Sequence, residues 1–260
     1  MFKNLGVQLY TVRDTMLDEA GVAKTFEKLA QLGYTELHTA GCKIDEKRFV
    51  ELAQQNGLKI IGTHIGSDLL FGDPEKTMEL HRMWGTTNIG TGGMPTEYRF
   101  SKEGVLEFVK KFNAVAEIYA KNGFRTTYHN HNFEFVRVDG KKTTMDLLYE
   151  GLDPATTSFV LDTCWVAAGG GDVTEWMEKL AGRIDILHLK DTYLEKDEEK
   201  GLIHVITEVG NGSVCWDKVM ATAEKIGVSH YVVEHDKNWE TGCPFESLKT
   251  SADFLAKYRK

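Results

Sequence analysis

Gln8-Leu9-Tyr10-Thr11-Val12-Arg13-Asp14 follows the first short apolar run of the chain, and it holds no glycine. An open, doubly wound α/β sheet usually places a Gly-rich phosphate loop there, directly after its first strand. The rest of the chain still alternates as a parallel sheet does. Candidate strands lie at residues 5–10, 34–38, 58–65, 86–90, 125–131, 158–162, 184–190 and 230–235. They are rich in Val, Ile, Leu, Tyr and Thr, as strands buried on both faces are. Helical patterns separate them. Val105, Phe108, Val109, Phe112, Val115, Ala116 and Tyr119 recur on one helical face, as do Phe26, Leu29 and Ala30, and later Phe245, Leu248 and Leu255. Ser101 and Asp172 read as N-caps. Gly33, Gly57, Gly123 and Gly227 stand where a C-cap glycine belongs, between a helical pattern and the next strand. Eight strand–helix units in 260 residues predict an α/β fold of the closed (β/α)₈ barrel type, one domain over residues 1–260. Residues 192–211, charged and Gly-containing, read as a long loop after the seventh strand and as a partial lid.

Composition narrows the function. The chain is 42% apolar and 27% charged, enough for a sizeable core. Its net charge of −8 argues against nucleic acid or an anionic membrane as partner, since both demand a basic face. The four cysteines, Cys42, Cys164, Cys215 and Cys243, form no CxxC pair and read as reduced thiols of a cytoplasmic protein. The N-terminus lacks the apolar run of a signal peptide, and no apolar stretch reaches the ~18 residues of a membrane span.

In a barrel, chemistry belongs at the C-terminal strand ends. The exits are unusually polar. The first carries Gln8, Tyr10 and Arg13, and the third His64. The fourth is Gly90-Thr91-Gly92-Gly93. The fifth runs Tyr128-His129-Asn130-His131-Asn132-Phe133-Glu134. The sixth ends Leu161-Asp162-Thr163-Cys164-Trp165, the seventh reads His188-Leu189-Lys190-Asp191 and the eighth Val233-Glu234-His235-Asp236. Four successive exits thus offer Glu or His, then Asp, His and Glu, a set that suits one hard divalent ion with open water positions. Taken singly, Asp162 reads equally well as an N-cap and His188 as a core histidine. Glu234 follows apolar neighbours, and an unpaired buried carboxylate is costly. His129 and His131 share one side of their strand by its period of two. A turn after Asn132 returns Glu134 to the site, which makes Glu134 the preferred fifth-strand ligand with His131 beside it. The reverse assignment stays open. His38 and His81 read as surface residues without a role, and His204 has no clear reading.

At these residues the chain resembles the xylose isomerase-like TIM barrel superfamily, in its sugar phosphate isomerase/epimerase group. The resemblance is carried by Gly6 to Arg13, Tyr128 to Phe135, Leu161 to Trp165, His188 to Asp191, Val209-Gly210-Asn211-Gly212 and Val233-Glu234-His235. Its most specific part is Tyr-His-Asn-His-x-x-Glu-Phe. The resemblance implies one divalent metal, Mn²⁺ first with Mg²⁺, Co²⁺ or Zn²⁺ as substitutes, held by Glu134, Asp162, His188 and Glu234. It also implies Glu134 and Glu234 as the proton-transfer pair of a ketose 3-epimerase. The chain departs from those epimerases in carrying His129 where they have glutamate, and Trp165 where they have a histidine. Its His-rich fifth strand with a later Glu is closer to the inosose dehydratase relatives.

The expected activity is therefore a metal-dependent sugar isomerase or epimerase working through a metal-stabilised enediolate. A lyase of inosose dehydratase or keto-glycoside-eliminating type shares the first step and is the alternative. A sugar-binding barrel without catalysis is a further one. The endonuclease IV branch uses three zinc ions and more ligands, which this chain lacks. The substrate is a sugar or keto-sugar, free rather than phosphorylated, because no phosphate loop is present. Its contacts are His64, His131, Trp165 and Lys190. Tyr10, Trp84 and Phe71 are further candidate walls, with ordinary packing the better account of Trp84 and Phe71. The alternative for Lys190 is a surface ion pair with Asp191. The related group admits a homo-oligomer.

Overall fold

The computed structural model describes residues 2–237, 239 and 242–260. Every predicted strand forms: β1 (Gly6–Gln8), β2 (Glu36–Thr39), β3 (Lys59–Thr63), β4 (Asn88–Thr91), β5 (Arg125–His129), β6 (Thr157–Asp162), β7 (Ile184–Leu189) and β8 (His230–Val233). They lie side by side in the order β3-β2-β1-β8-β7-β6-β5-β4, each neighbouring pair parallel. Beyond β3 the chain reaches back to β4, where the Ile65 N–H donates to the Gly90 carbonyl at 2.9 Å. Gly90 makes this seam, since a Cβ there would lie 2.2 Å from the Thr63 carbonyl oxygen. The result is a nearly closed single-domain TIM barrel with helices between its strands.

The helix signals hold at their ends. Ser101 Oγ accepts the Gly104 N–H at 3.1 Å to start helix Lys102–Lys121. The predicted face of that helix, from Val105 to Tyr119, is buried. Asp172 caps helix Val173–Lys179 through two N–H groups. Gly33, Gly57, Gly123 and Gly227 take positive φ.

The core has two layers. The larger packs helices on the outside of the barrel, while Ile61, Val160, Ile186 and Val232 form a separate cluster. Val160, Ile186 and Val232 stand two residues before Asp162, His188 and Glu234, hence on the same side of their strands. They form an apolar layer one pleat below those polar groups.

Residues 192–211 differ from the expected loop. Asp191–Asp197 and Gly201–Thr207 pair antiparallel in full register, from Asp191 opposite Thr207 to Asp197 opposite Gly201. The ribbon's two β-prone runs, Thr192 to Leu194 and Leu202 to Thr207, are separated by the charged block at residues 195–200, which hid their pairing in the sequence. Only the ribbon's base is buried. A second, smaller hairpin, Arg137–Asp139 with Lys142–Thr143, follows the fifth strand.

Candidate functional site

Four side chains from four consecutive strands meet at the C-terminal end of the barrel. One donor atom each from His129, Asp162, His188 and Glu234 lies within 4.8 Å of all the others, and all four residues are buried. His129 and Asp162 end β5 and β6, His188 lies in β7, and Glu234 follows β8. His188 Nδ1 is 3.0 Å and His129 Nε2 3.8 Å from Glu234 Oε2. Asp162 Oδ2 is 3.5 Å from His129 Nε2 and 3.9 Å from His188 Nδ1.

Asp162 caps a helix with one oxygen and turns the other toward the four-donor group. Its Oδ1 caps helix Thr163–Ala168 by accepting the Trp165 N–H at 2.9 Å. Its Oδ2 is buried and accepts no hydrogen bond. The Nε2 of His129 is likewise buried and without a hydrogen-bond partner, while its Nδ1 faces the Gly92 carbonyl at 3.4 Å. Asp162 Oδ2 and His129 Nε2 face each other at 3.5 Å with the Lys190 ammonium 3.3 Å from the carboxylate oxygen, a charged group that lacks the hydrogen bonds buried polar atoms usually make. Two imidazole nitrogens and two carboxylate oxygens at this spacing are a donor set for one divalent ion.

Lys190 stands at the edge of this group and is 1% exposed. Its ammonium lies 3.0 Å from Glu234 Oε2, 3.3 Å from Asp162 Oδ2 and 2.9 Å from Asp236 Oδ2. Burial alone would lower its pKa, but these three carboxylates hold it well above the ordinary lysine value. Burial pushes Glu234 up, yet Lys190 and His188 outweigh it and keep that carboxyl well below its usual range. Lys190 therefore does not pair with Asp191. Asp191 instead accepts the N–H groups of Thr192, Gly210, Gly212 and Val214 and, at 2.6 Å, the indole N–H of Trp216. It clamps the Val209-Gly210-Asn211-Gly212 turn, and a Cβ on residue 212 would lie 2.2 Å from its Oδ1. Asp191→Asn turns an NH₂ toward some of these donors. We expect a loss of about 2 kcal/mol in chemical denaturation, with unchanged stability counting against the clamp.

The predicted contacts His64, His131, Trp165 and Lys190 all line one cavity of ≈ 550 Å³, with His129, Glu234 and Asp236 among the other walls. Tyr10 also lines it, whereas Trp84 is buried core and Phe71 packs on Phe108 and Phe112. Burial is the first cause that holds His64 and His131 far below the usual histidine pKa, so both are neutral. His131 stacks on Phe133 and leans on Trp165.

Glu134 is not brought to the group. It is fully buried within the turn Asn132–Phe135. Its Oε1 accepts the Tyr128 hydroxyl at 2.5 Å and its Oε2 the His131 N–H at 2.8 Å. The side chain closes a capping box on its own turn, which leaves His129 as the fifth-strand member. His38 and His81, expected at the surface, are fully buried. His81 joins Thr63 to the Thr77 carbonyl. His38 lies under the site, its Nδ1 2.8 Å from His188 Nε2. His204 is exposed on the ribbon.

A second cleft of ≈ 380 Å³, between the ribbon and helix Trp216–Ile226, includes Asp172, His204, Cys215 and Lys218. Among the described residues these form no close donor group. No helix among them is long and apolar enough to cross a membrane.

Comparison with known proteins agrees with the fold. An inosose dehydratase from Bacillus licheniformis is 28% identical over 170 residues, covering 61% of this chain and 56% of that enzyme. The match thus spans little more than half the relative's length. A sugar phosphate isomerase/epimerase from Parabacteroides distasonis superposes with a TM-score of 0.82 at 24% identity, over 100% of this chain and 96% of that one. A probable 3-DHS dehydratase from Bacillus anthracis follows at 0.71 and 16%, over 97% and 98%. These two structural likenesses establish shared architecture. The family model described as xylose isomerase-like TIM barrel matches residues 20–258, and the chain belongs to that family.

Proposed function

We propose that the chain is a divalent-metal-dependent sugar isomerase or epimerase that removes a proton next to a carbonyl. The observation that carries this reading is the buried four-donor group opening on a polar cavity, with Asp162 Oδ2 and His129 Nε2 lacking hydrogen-bond partners. His129, Asp162, His188 and Glu234 would hold the ion. Mn²⁺ remains the first choice, and a second imidazole in place of a carboxylate favours Co²⁺ and Zn²⁺ over Mg²⁺. A bound cation would polarise the sugar carbonyl and stabilise the charge of the enediolate. Glu234 both belongs to the donor group and lines the cavity, so it is the proposed proton acceptor. Trp165 offers an apolar wall, and Lys190 a cationic contact for a substrate oxygen.

The lyase reading gains from a specific arrangement. Elimination needs a base for carbon and an acid for the departing hydroxyl. Glu234 and the ammonium of Lys190, 3.0 Å away, are such a pair on the cavity wall. Glu134, the second carboxylate a two-faced epimerisation would use, does not line this cavity. The similarity to inosose dehydratase points the same way. One assay separates the readings: ketoses, inososes and 3-keto-sugars with Mn²⁺ in D₂O, followed by NMR and mass spectrometry. Deuterium uptake without loss of water supports isomerisation or epimerisation, product lighter by water supports elimination, and no exchange with any substrate removes both.

Metal dependence has its own prediction. Mn²⁺ at 100 times its Kd should add about 2.7 kcal/mol. For a chain of this size that raises the thermal midpoint by roughly 5–10 °C, reversibly with EDTA. An unchanged midpoint with Mn²⁺, Co²⁺ and Zn²⁺ would eliminate the ion.

A further inference from the structure

We infer that Gln8 fixes the tautomers of three histidines, making His64 a hydrogen-bond donor toward the substrate and offering His188 Nδ1 to the cation. The proposed function supplies only the identity of what meets those two atoms.

Gln8 ends β1 and is fully buried. Its Oε1 accepts the Tyr10 N–H at 3.3 Å, a contact that a turned amide would replace with two opposed donors. Its Nε2 therefore carries two hydrogens to share. That nitrogen lies 3.2 Å from His38 Nδ1 and 3.3 Å from His64 Nδ1. An NH₂ group only donates, so both Nδ1 atoms must accept. Each ring then bears its hydrogen on Nε2.

Two consequences follow at two strand ends. On β7, His188 Nε2 sits 2.8 Å from the same His38 Nδ1. His38 Nδ1 has no hydrogen to give, so His188 Nε2 must donate, and the one His38 lone pair is shared between this shorter bond and the Gln8 NH₂. That leaves the His188 Nδ1 lone pair facing Glu234 Oε2 at 3.0 Å and Asp162 Oδ2 at 3.9 Å. A lone pair turned toward two carboxylates needs positive charge among them, which the Lys190 ammonium supplies at one edge and a bound cation would supply at the lone pair itself. Beyond β3, His64 has spent its Nδ1 lone pair on Gln8. Its Nε2 is buried without a partner in the side chain that lines the cavity. The available group is therefore N–H. His64 polarises or positions a substrate oxygen and does not abstract a proton. β3 and β7 lie across the eight-stranded ring from each other, so His64 and Lys190 approach the cavity from opposite walls.

Histidine ¹⁵N labelling and long-range ¹H–¹⁵N NMR read the tautomers directly, with or without activity. In the metal-free protein, His64 should show a protonated Nε2 and a bare Nδ1. Gln8→Glu replaces the donor with an acceptor and should move the His64 hydrogen to Nδ1. Gln8→Leu removes the bias, mixes the tautomers and weakens Zn²⁺ binding about 10–100-fold. Should the Glu variant fail to fold, the Leu variant carries the test. A wild-type His64 protonated on Nδ1, or tautomers and Zn²⁺ affinity unmoved by substitution, overturns the inference. The stated tautomers in a protein that binds no Mn²⁺ would uphold this wiring and sink the proposed function instead.

Discussion

Glu234→Gln is expected to slow substrate C–H exchange by about 10³-fold and to weaken Mn²⁺ binding at least tenfold. Two losses combine. The amide keeps the shape of the carboxylate but not its charge, so the donor group drops from two anionic oxygens to one. It also cannot accept a proton from carbon. The fold should survive, because Lys190 keeps two of its three carboxylates, Asp162 and Asp236. Asp236 is the control. It contacts Lys190 but stands outside the four-donor group, so Asp236→Asn should leave the Mn²⁺ affinity within a few-fold of wild type. Calorimetric Mn²⁺ titration and deuterium exchange measure the two losses separately. Unchanged affinity and unchanged exchange in Glu234→Gln would remove this residue from both roles.

The barrel was legible because its signals are local. Strand composition, helix spacing and capping residues act over a few positions, and the eight strands appear where they were expected. Asp162, His188 and Glu234 were legible because a strand end is a fixed address in this architecture. The fifth strand was harder. His129 and Glu134 both sit near its exit, and choosing between them depends on whether the chain after His131 continues as strand or turns. It turns, and Glu134 is spent on satisfying that turn. His38 was misread for a related reason. A strand-end histidine that faces outward and one that faces into the barrel look alike in sequence, and only the ring of strands brings residue 38 to residue 188. Gln8 carried no signal beyond its strand end, since its effect lies in hydrogen-bond direction across three elements.

The paired variants Glu134→Gln and Glu134→Leu decide what that carboxylate does. Glutamine can satisfy both present contacts, its oxygen accepting the His131 N–H and its NH₂ donating to the Tyr128 oxygen. If Glu134 only holds the turn, Glu134→Gln keeps Mn²⁺ affinity and exchange within a few-fold of wild type. As a metal ligand or proton carrier it would lose on the order of 10² or more. Stability gives a second reading. Burial pushes the Glu134 pKa up from 4.5 to about 7. A raised acid favours folding in its neutral form. That stability is complete below pH 4.5 and is lost as pH rises through 7, by up to about 3 kcal/mol. Glu134→Gln has no charge to suppress, so its advantage over wild type should grow across this interval by up to roughly 6–12 °C in thermal midpoint. Glu134→Leu leaves the Tyr128 hydroxyl and the His131 N–H without partners and should cost about 2–4 kcal/mol below pH 4.5, where wild-type Glu134 is neutral, and less as pH rises through 7. The Leu variant also releases His131 from its place beside Trp165, so a loss of activity there alone says nothing of chemistry. It is the glutamine, keeping the turn and removing the charge, that separates a residue shaping the site from one acting in it.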